Sequence, residues 1–412
     1  MALKQKERQT LAIKVRRAFS PAAPIDQWSL FAGRTDELRQ VVDAINQRGQ
    51  HAIIFGERGV GKTSLANVLS DVLRPVGNVQ VLAPKVNCDG TDNYCSVWRK
   101  VLAEIRFSKH IRQIGFVERF AEETHSGAEL LPEGVTPDHV RRLVASIGSR
   151  VILVIIIDEF DRLRDERASG LFADTVKTLS DYSAPATLVL VGVADTVDEL
   201  IREHLSVERA LVQVRMPRMS RDELHEIVNK GLSSVDMSID ADALLYISTL
   251  SQGLPHYTHL LGLHSALNAI HSGHATVTRR HVQDAIAHAI DQAQQTIRAA
   301  YHKATMSPRR ENLYRQVLLA SALARADEFG YFAAADVREP MTRITGRPFE
   351  IPAFSRHLND FCEELRGRVL HKIGRAHRFR FRFLNPLMQP FVIMTGLSSG
   401  MIDAALVQEL GR

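Results

Sequence analysis

The run Gly56-Glu57-Arg58-Gly59-Val60-Gly61-Lys62-Thr63-Ser64 has the G-x-x-x-x-G-K-[ST] spacing of a phosphate-binding loop. Glycines at these positions let the backbone turn so that its N–H groups converge on phosphate oxygens. A helix starting near Lys62 would point its positive end at the same place. Lys62 then supplies a point charge to the phosphates, and Thr63 a hydroxyl to Mg²⁺. The second group is the carboxylate pair that ends VILVIIIDEF. A buried strand finishing in Asp158-Glu159 presents both acids at the C-terminal edge of a sheet, where open α/β sheets bind ligands. Asp158 is expected to hold Mg²⁺ and its waters, and Glu159 to orient or deprotonate the water that attacks the γ-phosphate. Acids also cap helices, but with a phosphate loop upstream the pair points to hydrolysis rather than binding alone.

These groups need a scaffold. Ala52–Phe55 reads as a strand running into the loop, and Leu65, Val68, Leu69 and Val72 form one face of the helix after it. Val79–Val86, the apolar run Val151–Ile157, Thr187–Val193 and Ala210–Val214 read as further strands. Helices are expected at Tyr94–Ile105, Pro137–Ile147, Gly170–Leu179 and Thr196–His204, while Phe107–Thr136 shows the least regular pattern. Strands alternating with helices predict a parallel sheet.

From Ser220 onward the pattern is helical: Ser220–Lys230, Asp240–Thr249, Pro255–Ile270 and one long helix over Thr278–Ala300. A third region offers helices at Arg310–Ala324, Ala333–Ile344 (interrupted by Pro340) and Ile351–Glu364, then a hairpin about Gly374. That order is the one found in a winged helix. The expected fold is an α/β P-loop NTPase core at 31–216 with a parallel sheet flanked by helices. It follows a basic N-terminal arm, 1–30, and precedes an all-helical lid at 217–304, a winged-helix domain at 305–395 and a tail at 396–412.

Composition excludes several classes. The chain of 412 residues is 45% hydrophobic and 24% charged, and no apolar run approaches the ~20 residues of a membrane helix. Three cysteines, Cys88, Cys95 and Cys362, make neither a disulfide framework nor a zinc pattern. With no secretory leader expected, a cytoplasmic location follows. The net charge of +5 is concentrated at the ends. Lys4, Lys6, Arg8, Lys14, Arg16 and Arg17 lie in the arm, and Arg366–Arg382 holds another basic group.

The phosphate loop, the DE after a hydrophobic strand and the helical region after the last strand resemble AAA+ ATPases, specifically the origin-recognition (replication-initiator) branch, over roughly Phe31–Ala300. The resemblance implies that Phe31-Ala32-Gly33-Arg34 packs against adenine and that Thr187–Thr196 is the sensor-1 strand. Asp195 or Thr196 then stands where the family often has Asn. Gly253-Leu254-Pro255-His256 resembles the sensor-2 turn, with His256 where Arg is usual, and a neutral histidine carries no permanent charge to the γ-phosphate. Arg209 matches the arginine-finger position, with Arg202 as runner-up. A finger works on a neighbour's nucleotide and so implies a homo- or hetero-oligomer with sites completed in trans.

Arg378, Arg380 and Arg382 alternate with phenylalanines, so a strand there has one arginine face. As a wing, that face and the basic arm would track double-stranded DNA phosphates. Equally, the arginines would pair with acids of the lid or of a protein partner. His281, Asp284 and His288 share a helix face, but the two histidines are two turns apart, too far for one metal, and read as core or solvent residues. Three readings stand: an AAA+ ATPase switch coupled to DNA, a STAND-type signalling or defence NTPase coupled to protein, and a nucleotide-binding scaffold with little hydrolysis.

Overall fold

The computed structural model describes residues 5–73, 80–113, 119–147, 151–201, 207–307, 312–375 and 378–410. Its central sheet contains β1 (His51–Gly56), β2 (Gln80–Leu82), β3 (Lys85–Asn87), β4 (Val151–Asp158), β5 (Ala186–Val193) and β6 (Leu211–Arg215). Every pairing is parallel. β2 and β3 both pair with β4, and the spatial order continues through β5 and β1 to β6. Thus β5 lies between the strand that feeds the phosphate loop and the strand that carries the carboxylates. The strands finish level, with Gly56 opposite Val193, Phe55 opposite Arg215 and Asn87 opposite Asp158.

Side-chain alternation explains why β4 reads as an unbroken apolar run. Val154 and Ile156 join Ile54, Val189 and Val191 in the core beneath the helix Lys62–Val72, while Ile155 and Ile157 join Ile53, Leu188 and Leu190 in the core of the opposite face. The second core is closed by Trp98, Phe172 and Val176 of the helices Tyr94–Ala103 and Glu166–Asp181.

Several local expectations are corrected. The strand read over Val79–Val86 is two short strands separated by Ala83-Pro84, because proline has no N–H to give a ladder and offers only its carbonyl, to Ile156 N–H. The irregular stretch contains an antiparallel pair, Arg106–Gln113 with Arg119–Ser126. The helix read over Thr196–His204 is a single turn at Val197–Glu199, with 202–206 outside the described residues. The long helix is two, Arg279–Asp291 and Gln295–Thr305. Gln292, at their junction, accepts a hydrogen bond from His264 at 3.1 Å.

The third region has helices Tyr314–Leu323, Arg338–Thr345 and Ile351–Asp360 with a small antiparallel sheet. Its strands are β7 (Phe332–Ala333), β8 (Leu370–Ile373) and β9 (Arg380–Phe383), in the order β7–β9–β8. This is a winged-helix arrangement. Pro340 is accommodated as the third residue of its helix, in the first turn, where N–H groups have no intrahelical partner. The helix Met388–Ser398 is buried almost throughout, and in the last helix Leu406 and Val407 join the core.

The basic arm is also more than an arm. Gln5–Ala18 is a helix lying on the helix Pro255–His271. Phe19 follows it into the core, against Gly231 and Gly262, where an added Cβ would come within 2.6 Å of the ring. Lys6, Lys14, Arg16 and Arg17 remain exposed. No helix among the described residues is long and apolar enough to cross a membrane.

Candidate nucleotide site

The phosphate loop has the backbone its glycines permit. Gly59 and Gly61 have φ of 87° and 98°, the left-handed region that side chains disfavour. At Gly56 the reason is close approach: an added Cβ would stand 2.3 Å from the carbonyl oxygen of Met216. Val60 is fully buried and Arg58 exposed. Ser64 Oγ accepts the N–H of Ile25 at 3.1 Å, so the N-terminal segment crosses the start of the loop helix.

Lys62 is buried and donates from Nζ to the carbonyls of Gly56 (2.9 Å) and Glu57 (2.8 Å). Burial lowers its pKa to about 8, against the opposing pull of the Asp161 and Asp158 carboxylates. A phosphate recruits the ammonium form. Below about pH 8 that form is already present, whereas above it binding must take up a proton. Nucleotide affinity is therefore expected to be level up to that pH and then to fall by up to about tenfold per pH unit. Calorimetric titration of ADP across this range checks it; an affinity constant to about two units higher would refute it.

Asp158 is 2% exposed. Its Oδ1 accepts the N–H of Glu159 at 2.8 Å, while Oδ2 has no hydrogen bond and faces the ammonium of Lys85 at 3.2 Å. Lys85 also donates to Asn67 on the loop helix. A buried carboxylate oxygen without a hydrogen bond, together with the Thr63 hydroxyl, is an all-oxygen donor set of the kind Mg²⁺ takes. Glu159 has φ of 54°, and its carboxylate is turned to Arg162 at 2.8 Å, with both side chains about half exposed. Asp161, which the motif reading passed over, accepts the N–H of Val193 at 2.8 Å and so ties the carboxylate turn to the end of β5.

The other expected residues are placed as follows. Gly33 donates to Glu226 at 2.9 Å. Arg34 is a buried brace: its guanidinium binds Glu37 and the carbonyls of Val60 and Pro217, and so holds the loop from behind. His256 donates from Nδ1 to the carbonyl of Pro21 at 2.8 Å, and burial lowers its pKa. Thr196 is exposed. Arg209 is exposed too, its carbonyl accepting from Gln50 at 2.9 Å. Arg202 lies outside the described residues. No group of three or more potential ligands for a metal exists among the described His, Cys, Asp and Glu residues. His281 caps its own helix, and His288 stacks on His264.

Asp195 carries the contact that matters most. Both its oxygens accept from Arg382 Nη1 at 2.6 Å, so β9 of the winged helix reaches the end of β5. Of the arginine face read as a DNA surface, Arg382 is half-buried while Arg378 and Arg380 stay exposed. Phe381 and Phe383 enter the domain's core, which forces the arginines to the other face, and that face meets acids. Arg380 pairs with Asp327 at 2.9 Å but stays exposed, and Arg378 is exposed too. A second bridge runs through Arg218, which holds Glu57 of the phosphate loop at 2.7 and 3.1 Å and donates to Gln389 at 2.6 Å. Leu387 packs against Gly59, and its carbonyl accepts from Tyr257 at 2.7 Å. Arg215 pairs with Glu328 at 2.9 Å and lies over the Phe329 ring. Motif reading missed Arg215 and Arg218; the signal available was their position at the C-terminal end of the last strand, the edge where such sheets bind ligands.

Residues 24–342 match the family model described as Novel STAND NTPase 1. No curated protein matches. Among solved structures, ORC2 of Aeropyrum pernix, determined as ADPNP–ADP complexes, is similar over 96% of this chain and 97% of its own, with a TM-score of 0.50 at 15% identity. The Walker-type ATPase paby2304 of Pyrococcus abyssi is similar over 90% and 98%, with a TM-score of 0.51 at 14% identity. At such identities the likeness is one of fold: parallel sheet, helical region and small C-terminal sheet in the same order.

Proposed function

Because the chain belongs to the Novel STAND NTPase 1 family of P-loop NTPases, we propose that it is a Mg²⁺-dependent ATPase acting as a nucleotide-driven switch. Its winged-helix domain is the moving part, and its output goes to a protein partner. The observation that carries this reading is the Asp195–Arg382 pair, which fastens the C-terminal domain to the edge of the sheet that bears the phosphate loop. In this reading the core (31–216), lid (217–304) and winged helix (305–395) form one closed body that nucleotide exchange loosens.

Each residue has a task. The loop N–H groups and Lys62 bind the phosphates, Thr63 and Asp158 hold Mg²⁺, and Glu159 swings from Arg162 to take the proton of the attacking water. Mg²⁺, when bound, neutralises charge on the phosphate oxygens. Arg209, exposed before β6, completes the site of a neighbouring subunit.

Arg382→Ala removes one side of a pair that is largely shielded from solvent, 23% and 27% exposed. It is expected to favour the open arrangement by about 1–2 kcal/mol, roughly 5- to 30-fold in the closed-to-open ratio. Spin-label distances between core and winged helix, with ADP and with a non-hydrolysable triphosphate, check this. An unchanged distance distribution in the variant and with both nucleotides rejects the switch.

A DNA-coupled switch is the second reading, favoured by the exposed Arg375 and Arg378 at the hairpin tip and by the exposed lysines and arginines of the first helix. Steady-state hydrolysis with and without duplex DNA, at two salt and two protein concentrations, separates the two. The protein-coupled reading expects indifference to DNA and a specific activity that rises with protein concentration. Stimulation by DNA that fades with salt would replace it by the second.

A further inference from the structure

Beside the phosphate loop lies a cavity of about 20 Å³ walled by Gly56, Glu57, Arg215, Arg218, Glu328 and Phe329, among others. That is room for about one water. Gly56 and Glu57, which form part of its wall, are the residues whose carbonyls accept from the Lys62 ammonium, so the cavity and Lys62 share these two residues of the loop. Arg215 and Arg218 belong to neither the loop nor any position read as a sensor. His256, which stands at the sensor-2 position, is spent on Pro21 and offers no lasting charge.

Each of the two arginines is held by a carboxylate. Arg218 grips Glu57 through two bonds, and Arg215 grips Glu328 through its side chain (2.9 Å) and its carbonyl (3.3 Å). We infer that Arg215 and Arg218 form the subsite for the terminal phosphate of a nucleoside triphosphate, and that Glu328 and Glu57 fill it by imitation in the closed state. The inference rests on the reading of the Lys62 loop as the nucleotide site.

The guanidinium fork suits a phosphate as well as a carboxylate, and a terminal phosphate brings more charge. Glu328 is a weak competitor, since its side chain is 66% exposed and solvent screens the pair. The space is too small for a phosphate while Glu328 and Phe329 are in place. These two residues sit in a turn held by Asp327, whose Oδ1 accepts the N–H groups of Phe329 (2.9 Å) and Tyr331 (2.8 Å). The turn therefore leaves as a unit, and it belongs to the winged-helix domain. A diphosphate has no group to place there, so these arginines distinguish tri- from diphosphate.

The test is equilibrium binding of ADP and of a non-hydrolysable ATP analogue to the full chain with Mg²⁺. Arg218→Gln and Arg215→Gln are expected to weaken the analogue about tenfold more than ADP. Arg218→Lys recovers part of that loss, and Glu328→Gln tightens the analogue a few-fold while ADP is unaffected. Arg218 braces three segments, through Glu57, Gln389 and the carbonyl of Gln252, so Arg215→Gln and Glu328→Gln, at partly exposed positions, keep the test decisive if Arg218→Gln fails to fold. An analogue-to-ADP affinity ratio unchanged in both of those variants overturns the subsite while leaving the nucleotide site standing. A wild-type chain that binds neither nucleotide overturns the phosphate-loop reading, and the subsite with it.

Discussion

Glu159→Gln is expected to slow ATP hydrolysis by about 10²- to 10⁴-fold, the usual weight of a positioned general base, while nucleotide affinity stays within about twofold. The amide keeps the shape of the carboxylate but cannot accept a proton from water. Nothing structural depends on the charge: Glu159 faces Arg162 at 2.8 Å in an exposed pair within one turn. The same geometry gives a companion result, since Arg162→Ala frees the carboxylate and is expected to leave hydrolysis unchanged or faster. Single-turnover rates and binding isotherms on the same preparations separate chemistry from affinity. Wild-type hydrolysis no faster than that of Glu159→Gln would leave the chain a nucleotide-binding scaffold.

Gly56→Ala is expected to cost roughly 3 kcal/mol or more of folding stability and to abolish nucleotide binding. The added methyl would meet the Met216 carbonyl at 2.3 Å, a contact with backbone that no rotamer change relieves. Neither partner is free to shift. Gly56 ends β1, paired with Val193, and Met216 is tied by its own N–H to the carbonyl of Phe55 at 2.8 Å. Gly170→Ala is the control, because nothing lies within 4 Å of the added atom and its helix gains propensity, up to about 1 kcal/mol of stability. Urea denaturation of both variants decides the matter. A Gly56→Ala protein as stable as the wild type would mean that β1 and the end of β6 are not packed as described.

The parts of this protein legible in sequence are those whose physics is local. The phosphate loop and the helix after it are fixed by glycine spacing and a 3.6-residue period. The strand ending in Asp158-Glu159 is fixed by an apolar run that only burial on both faces explains, and the winged helix by the order of its elements. Where local signals were weak or opposed, the reading missed. The pair Arg106–Gln113 and Arg119–Ser126 lacks a clean apolar alternation, and the break near Gln292 runs through residues that all favour helix, so it was left to contacts such as that with His264. The roles of Arg34, Asp195 and Arg382 were beyond any sequence window. Arg34 became a brace because it is buried beneath the loop, and Asp195 meets Arg382 across 187 positions of chain. Motif spacing determined that this chain holds a phosphate-binding engine. Only the tertiary structure decided what rests on it, because the contacts that join the two link residues far apart in the chain, in ion pairs such as Asp195–Arg382 and in one continuous apolar core that no sequence window spans.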